Sequence, residues 1–327
     1  MDEQRSLKVL FLPQPGVDPT WQREVVAAVD PRHDLRIYDH GAPLESQFAD
    51  VEAVIDTGGS VGTKAMLDAA PNVRFWQILG TGIDKFDMAY WRDRGIMVSN
   101  CPGPMSAIAL AEHALLLTLM VIRRVPESQA NLARGVLYQP LTPELPGKTL
   151  CLVGFGASAR EFSIRAKAMG MKVIATDLFP VDAPTMAKWG ADRVVAADEL
   201  DSLLPEADVV SLHLHLNAET RHTLDARRIA LMKEGSIVVN VARGALVDED
   251  ALVAAVASGH LGGGGIDVFS QEPPARGSAI LNTPGIITTP HTAGVTDGTA
   301  RRRAEGAAHN IELIAADLEP IDRVDRL

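Results

Sequence analysis

The chain is 327 residues long, which is enough for two domains of ordinary size that need no disulfide or metal to hold their cores. Apolar residues make up 46% of it and charged residues 22%, the balance typical of a globular protein in water. A formal net charge of −11 argues against a nucleic-acid partner, because a phosphate-binding surface needs an excess of Lys and Arg.

The N-terminal part alternates short apolar runs with amphipathic segments. Strands are predicted over residues 8–12, 35–38, 53–55, 75–79 and 96–99. Between them lie helical patterns such as residues 63–70. Strands that alternate with helices predict a parallel sheet with helices on its faces.

An apolar helix is predicted over residues 107–125, after a break at Pro102 and Pro104. Its most apolar part is shorter than the roughly 20 residues that a spanning helix needs, and two polar residues, Glu112 and His113, interrupt it. We therefore expect a helix buried between domains or subunits. The first residues lack the pattern of a signal peptide, so a cytoplasmic protein without a membrane partner is expected.

A second series of strands follows a looser stretch, residues 138–147, where the pattern favours the main domain boundary. The strands are predicted over residues 149–153, 172–176, 194–196, 209–212, 237–240, 265–268 and 286–289. Helices are predicted over residues 160–169, from an N-cap at Asp248 to Gly259, and over residues 298–317. Residues 262–265 are all glycine and predict a tight turn. The series indicates a doubly wound domain.

The two cysteines, Cys101 and Cys151, belong to no CxxC or other ligand cluster. Neither a disulfide framework nor a metal site is therefore predicted. Cys151 lies in an apolar run and is interpreted as a small buried side chain.

A glycine-rich turn, Gly154-x-Gly156-x-x-Ala159, follows the first strand of the second series and precedes a helix. The first glycine permits a tight turn, the second lets a pyrophosphate approach the backbone, and the small third residue allows the helix to pack closely. The strand that follows ends in Asp177, where a carboxylate binds a ribose diol and repels a 2′-phosphate. The pattern predicts NAD as the cofactor, in preference to NADP. A turn without a ligand beside an unrelated surface aspartate is the alternative.

Three charged residues follow predicted strands of the second series: Arg243, Glu272 and His291. Ligands of open parallel sheets bind at the carboxyl ends of the strands. A histidine can take the proton of a hydroxyl while a hydride leaves, and a neighbouring carboxylate orients its ring. An arginine can hold a substrate carboxylate through two parallel hydrogen bonds. Taken singly, each residue is more simply a surface or loop residue; their shared placement favours a site.

With these residues in place, the sequence resembles the NAD-dependent D-isomer-specific 2-hydroxyacid dehydrogenases over about residues 50 to 300. The resemblance rests on the turn, on Asp177 and on four further segments: residues 210–213, residues 240–244, residues 267–269 with Glu272, and residues 290–294. It implies a Rossmann nucleotide domain, residues 104–290, inserted into a flavodoxin-like substrate domain, residues 1–103 and 291–327. It also implies a homodimer.

The resemblance further implies roles for individual residues. His291 would be the acid/base, Glu272 its partner and Arg243 the substrate anchor. The implied substrate contacts are Thr57, Thr81 and Gly82. The implied cofactor contacts are Gly154, Phe155, Gly156, Ala157, Ser158, Asp177, His213, Thr220, Val241, Ala242, Asp267 and Gly294.

Several departures from the family pattern bear on the substrate. His215 stands where proline is frequent, and Thr57 where phosphoglycerate-oxidising members often carry arginine. No C-terminal regulatory domain is recognised, and the loop before Glu112 is about a residue longer than usual. Glu272 stands where formate-specific relatives have glutamine, so formate is not expected.

Four functions stay open on this basis. The first is reversible reduction of a small 2-keto acid such as glyoxylate or hydroxypyruvate by NADH. The others are a short phosphoglycerate dehydrogenase, an NAD-sensing corepressor, and a nucleotide-binding fold that has lost its activity.

Overall fold

The computed structural model describes residues 5–58, 61–84 and 86–326. The chain divides into two compact units. The first unit comprises Met1–Met105 and Thr296–Leu327, and the inserted unit comprises Ser106–Val295. The boundary predicted within residues 138–147 is wrong, since these residues lie inside the inserted unit. A stretch with three prolines is here a loop within one unit rather than a linker.

The first unit contains a parallel sheet of five strands in the order β2-β1-β3-β4-β5. This is the strand order of flavodoxin-like sheets. In register, Val9 of β1 lies opposite Ala53 of β3. The strands are β1 Lys8–Leu12, β2 Asp34–Ile37, β3 Ala53–Asp56, β4 Phe75–Ile78 and β5 Met97–Ser99. Short helices follow them: α1 Thr20–Val29, α2 Leu44–Phe48, α3 Lys64–Asp68 and α4 Met88–Arg92.

The inserted unit contains a second parallel sheet, of seven strands. Its strands are β6 Thr149–Val153, β7 Lys172–Asp177, β8 Arg193–Ala196, β9 Val209–Leu212, β10 Ile237–Asn240, β11 Gly263–Ile266 and β12 Ile286–Thr288. The order β12-β11-β10-β9-β6-β7-β8 is the Rossmann order with one strand added at an edge. Two faces of this sheet are covered, which is why central strands such as β9 and β10 are buried along their whole length.

The helices of the inserted unit begin with the apolar segment predicted as one helix. It is two helices, because Arg124 takes a left-handed φ of 48° that ends the first. At a later helix the predicted cap is confirmed, since the Asp248 side chain accepts a hydrogen bond from the amide of Ala251 at 3.0 Å. The helices are α5 Ala107–Ile122, α6 Val125–Ala133, α7 Ala157–Ala168, α8 Ala183–Trp189, α9 Leu200–Leu203, α10 Ala226–Leu231, α11 Glu249–Ala257 and α12 Ala279–Asn282.

The four glycines at residues 262–265 do not form the predicted tight turn. Gly263, Gly264 and Gly265 are the buried beginning of β11. A Cβ on Gly265 would lie 2.8 Å from the Cβ of Leu117 in α5, and one on Gly263 would lie 2.5 Å from the carbonyl oxygen of Gly285. Gly263 and Gly265 are glycine because a neighbouring loop and a helix approach their backbone too closely for side chains.

The last helix, α13 Asp297–Ala315, returns to the first unit. It packs against α1 through small residues such as Ala304 and Ala307, which belong to the same buried cluster as Val25 and Val29. Among the helices in the described ranges, none has both the length and the apolar character needed to cross a bilayer.

Candidate active site

The glycine-rich turn lies at the junction between β6 and α7, as predicted. Gly154 has a φ of 90°, and a Cβ there would lie 2.7 Å from the carbonyl oxygen of His213. Gly156 caps α7, and the space where its Cβ would stand is open to 4 Å. Ala159 is fully buried against the sheet. The amides of Ala157 and Ser158 therefore open a helix next to bare backbone, an arrangement that fits a pyrophosphate.

Asp177 ends β7, the strand next to β6. One carboxylate oxygen accepts the amide of Phe155 at 2.8 Å and the other accepts the amide of Phe179 at 3.1 Å. A carboxylate has room for about four hydrogen bonds, so each oxygen can still accept a hydroxyl. Asp177 both ties the turn to β7 and keeps the capacity to bind a ribose diol.

His213, directly after β9, contacts the turn rather than an open edge. Its Nδ1 lies 2.9 Å from Oγ of Ser158, and its Nε2 lies 3.0 Å from Oγ of Ser211. Burial lowers the pKa of His213 to about 3, so the ring is neutral near pH 7. A neutral imidazole has one donor and one acceptor, which the two serines satisfy. His213 thus supports the first turn of α7.

Thr220 closes the loop that follows His213. Its hydroxyl donates to the carbonyl oxygen of His215 at 2.7 Å, and its oxygen accepts the amide of Asn217 at 2.8 Å. His215, at the position where the family often has proline, is exposed and shapes this loop through its backbone.

Three of the predicted site residues follow β10 in sequence. Val241 is buried, while Ala242 and Arg243 are partly buried. The Asn240 side chain donates to the carbonyl oxygen of Arg243 at 2.9 Å, and Nη1 of Arg243 donates to the carbonyl oxygen of Ala242 at 2.8 Å. The bonds hold the backbone of this loop against the end of the strand.

Gly244, next to Arg243, sets the distance between two loops. A Cβ on Gly244 would lie 1.9 Å from the carbonyl carbon of Phe269. The loop after β10 therefore packs directly on the segment that leads from β11 to Glu272. Only glycine permits this approach, which brings the loop of Arg243 beside the loop of Glu272.

His291 and Glu272 form the pair that the sequence predicted to lie together. Nδ1 of His291 lies 3.0 Å from Oε1 of Glu272, and the same oxygen accepts the amide of Phe269 at 3.2 Å. The His291 side chain is 49% exposed and that of Glu272 is 23% exposed. A carboxylate accepts only, so Nδ1 carries the proton and Nε2 is the nitrogen left for proton exchange.

Asp267, predicted as a cofactor contact, is fully buried beneath this pair. Burial raises the pKa of its carboxyl, and hydrogen bonds from His113, Thr289, Ala293 and Thr292 outweigh that effect and lower it. The carboxylate is therefore ionised, and its oxygens accept hydrogen bonds from groups of the protein itself. Gly294, a further predicted contact, follows directly after the segment that Asp267 holds.

The predicted substrate residues of the first unit follow β3 and β4, which are neighbouring strands. The hydroxyl of Thr57 donates to the carbonyl oxygen of Leu12 at 2.7 Å, so its hydrogen is used inside the unit. Asn100 donates to the carbonyl oxygen of Thr81 at 2.7 Å, and Nη2 of Arg303 donates to the Thr81 hydroxyl at 3.3 Å. Gly82 follows in the same loop.

The inserted unit also matches a family model, which is described as "D-isomer specific 2-hydroxyacid dehydrogenase, NAD binding domain" and covers residues 115–293. The chain belongs to the D-isomer specific 2-hydroxyacid dehydrogenase family. Together with the fold and the similar proteins, this match confirms four predictions from the sequence: the family, the two parallel-sheet α/β domains, an oxidoreductase activity and NAD binding.

Similar members of the D-isomer specific 2-hydroxyacid dehydrogenase family are known from several organisms. The (S)-sulfolactate dehydrogenase of Chromohalobacter salexigens is 38% identical over 272 residues, 82% of this chain and 86% of that protein. The hydroxypyruvate reductase of Thermotoga maritima is 36% identical over 258 residues, 78% of this chain and 81% of that protein. The crystal structure of D-lactate dehydrogenase from Aquifex aeolicus with NAD and lactic acid is 29% identical, with a TM-score of 0.80 over 97% of this chain and 99% of that chain.

The sequence patterns alone do not single out two residues that support this candidate site, Gly244 and His113. Gly244 was seen only as part of a motif, although a glycine after a strand can mark close backbone approach. His113 was noted only as an interruption of an apolar helix. Its Nε2 lies 2.9 Å from Oγ1 of Thr289 and 3.4 Å from Oδ1 of Asp267. A titratable residue within an apolar helix was the available signal.

Proposed function

We propose that the protein catalyses the reversible reduction of a small 2-keto acid to the corresponding D-2-hydroxy acid, with NAD(H) as the cofactor. The observation that carries this proposal is the His291–Glu272 pair, with Nδ1 and Oε1 3.0 Å apart and a half-exposed ring. An NAD-sensing corepressor or a nucleotide-binding fold without activity does not require a poised imidazole of this kind.

His291 would act as the acid/base through Nε2. In the oxidation direction the substrate hydroxyl proton passes to Nε2, and the hydrogen on the same carbon leaves as a hydride. NAD, when bound, supplies the acceptor of that hydride. Glu272 stabilises the imidazolium that forms and fixes the ring through Nδ1. In the reduction direction His291 returns the proton to the carbonyl oxygen.

Arg243 would hold the substrate carboxylate. A guanidinium presents a planar fork of donors that matches a carboxylate, and a partly buried one is less screened by water. We retain Thr81 and Gly82 as further carboxylate contacts. Because the hydroxyl hydrogen of Thr57 is used by Leu12, we assign Thr57 to shaping its loop.

Asp177 supports NAD over NADP. Its carboxylate can bind two ribose hydroxyls and would repel a phosphate on the same ribose. The next residues, Leu178 and Phe179, are 75% and 73% exposed and offer no cation for a phosphate. The proposal also keeps the other predicted cofactor contacts. They come from the turn, from the backbone at Asp267, and from His213, Thr220, Val241, Ala242 and Gly294.

The proposed active form is a homodimer. Four large apolar side chains between residues 132 and 141 are exposed: Leu132 67%, Leu137 58%, Tyr138 99% and Leu141 97%. Exposed apolar side chains concentrated in one segment mark an association surface. Tyr138→Asp should shift the sedimentation coefficient to that of a monomer, whereas Leu318→Asp, at a 57% exposed leucine of the first unit, should not. A cytoplasmic location is part of the same proposal.

A spectrophotometric screen tests the activity. NADH and NADPH are each offered with glyoxylate, pyruvate, hydroxypyruvate, 3-sulfopyruvate and phosphohydroxypyruvate. Sulfopyruvate is included because a relative is a sulfolactate dehydrogenase. We expect NADH consumption with at least one small 2-keto acid. Turnover of phosphohydroxypyruvate alone would favour the phosphoglycerate alternative. Absence of turnover with NADH still bound would favour a sensing role and overturn the proposal.

A further inference from the structure

His113 connects helix α5 to the sheet edge that carries His291. It lies within α5, with its side chain 14% exposed. Its Nε2 reaches Oγ1 of Thr289, the residue directly after β12, at 2.9 Å. Oδ1 of Asp267, the residue directly after β11, lies 3.4 Å from the same nitrogen. His113, Thr289, Asp267 and His291 all belong to the inserted unit.

The direction of these hydrogen bonds follows from the chemistry of the groups. The buried Asp267 carboxylate can only accept. Thr289 has one hydroxyl hydrogen, and its Oγ1 lies 2.5 Å from Oδ1 of Asp267, so that hydrogen is donated to Asp267. The Thr289 oxygen must then accept from His113, whose Nε2 carries a proton. His113 therefore donates a hydrogen bond to Thr289, and Thr289 donates one to Asp267.

Asp267, which these hydrogen bonds orient, in turn binds the backbone around His291. Its side chain accepts the amides of Thr292 and Ala293, both at 2.9 Å. Its main-chain oxygen accepts the amide of His291 at 2.8 Å. His291 has a left-handed φ of 56°. That conformation is strained for a residue other than glycine and persists only where its surroundings determine it.

We propose that His113 is a positioning residue for the reaction, which holds the His291 backbone in its left-handed conformation through Thr289 and Asp267. The inference rests on the proposed function of His291 as the acid/base. His113 does not touch the reacting atoms. It orients Thr289, and Thr289 orients the Asp267 carboxylate. The carboxylate accepts the amides of Thr292 and Ala293, while the main-chain oxygen of Asp267 accepts that of His291.

Two substitutions separate positioning from simple packing. His113→Gln keeps an N–H donor near the place of Nε2, whereas His113→Leu removes it. Since small misplacement of a reacting group can cost as much as about a hundredfold in rate, kcat of His113→Leu should fall about tenfold or more. KM for the keto acid and the dissociation constant of NADH should change less than about twofold. His113→Gln should recover kcat to within about threefold of wild type.

A second measurement does not depend on activity. Hydrogen exchange followed by mass spectrometry on the peptide spanning residues 288–295 reports the amides of Thr292 and Ala293. Exchange should be faster in His113→Leu and near the wild-type rate in His113→Gln. Thr289→Val, which breaks the same chain without altering α5, should also exchange faster. His309→Leu, at an exposed position of α13, is the matched control.

Each outcome decides the inference. Loss of kcat and of exchange protection in His113→Leu and Thr289→Val, with recovery in His113→Gln, supports it. Wild-type kcat and protection in both disrupting variants overturns it, as does equal loss in the leucine and glutamine variants. If His113→Leu does not fold, the comparison of Thr289→Val with His113→Gln tests the inference in its place: it is supported by loss in the first and near wild-type values in the second. If the wild-type protein reduces no keto acid, the proposed function fails and with it the role in the reaction, while the exchange rates still show whether His113 holds the backbone of residues 291–293.

Discussion

Gly244 lies so close to Phe269 that a Cβ on the glycine would stand 1.9 Å from the phenylalanine carbonyl carbon. This contact joins the loop after β10, which carries Arg243, to the loop after β11, which leads to Glu272. A backbone-to-backbone contact thereby places the loop of the proposed substrate anchor next to the loop that leads to the carboxylate partner of His291.

Gly244→Ala should therefore separate the two loops. A methyl group cannot occupy that space unless one backbone moves, so we expect kcat/KM to fall by about tenfold or more with a lowered Tm. Steady-state kinetics and thermal denaturation measure both effects. Gly277→Ala is the control, because nothing lies within 4 Å of a Cβ at Gly277. Unchanged kcat/KM in Gly244→Ala would show that the contact does not position Arg243 or Glu272.

His291→Ala should remove proton transfer while leaving cofactor binding intact. General acid–base catalysis contributes about 10²- to 10⁴-fold, so kcat should fall by that order. The dissociation constant of NADH, measured by fluorescence, should stay within about twofold of wild type. Glu272→Gln should have a smaller effect, because the amide can still contact Nδ1 but no longer stabilises the imidazolium. Parallel loss of kcat and NADH affinity in His291→Ala would indicate a structural role instead.

Asp177→Ser should change the choice of cofactor. Without the carboxylate, the ribose diol loses an acceptor and a 2′-phosphate is no longer repelled. We expect the ratio of kcat/KM for NADPH to that for NADH to rise by about tenfold or more, since a charge-assisted hydrogen bond is worth about 1.5–3 kcal/mol. Glu144→Ser, which removes an exposed negative charge elsewhere, should leave the ratio unchanged. An unchanged ratio in Asp177→Ser would contradict the assignment.

Acidification should destabilise the protein through His213. Burial lowers the pKa of His213 to about 3, against 6.5 for an ordinary histidine. The unfolded chain therefore takes up a proton near pH 6.5 that the folded protein does not accept until about pH 3. Stability is lost as pH falls through that window, by at most about 1.4 kcal/mol per pH unit.

Urea denaturation at pH 7 and pH 5 measures this effect. His213→Gln should lose less stability between the two pH values than wild type, although it is less stable at pH 7 through its weakened contacts to Ser158 and Ser211. The same loss in both proteins would mean that other groups cause the acid sensitivity.

Both cysteines should resist alkylation in the native protein. Burial raises the pKa of the Cys101 and Cys151 thiols to about 12, so neither ionises appreciably near pH 8. Incubation with iodoacetamide at pH 8 followed by mass spectrometry should show no label, and both should react in urea. Rapid labelling of Cys101 in the native protein would contradict its burial.

Local patterns were sufficient for much of the fold. Each of the twelve strands of the described residues was predicted within about two residues of its place, because alternation of apolar runs with turn residues is a property of neighbours in the chain. The Gly154–Ala159 turn, Asp177 and the N-cap at Asp248 are likewise local. Their chemistry follows from the type of one residue and its position at the end of a strand or the start of a helix.

A contact between distant residues accounts for the error at β11, and the backbone conformation of a single residue accounts for the error at α5. The glycines of β11 look like a turn until Leu117 of α5 is seen to fill the space beside Gly265. The helix predicted over residues 107–125 ends early, at a left-handed Arg124.

Local sequence patterns predicted two α/β domains, a nucleotide turn, an acid suited to NAD and a set of Arg, Glu and His beyond three strands. The contacts that hold those residues are visible only in the folded protein: Gly244 against Phe269, His213 against Ser158, and His113 through Thr289 to Asp267. Each of these contacts joins residues at least 22 positions apart in sequence, so the fold alone determines whether their backbones or side chains meet.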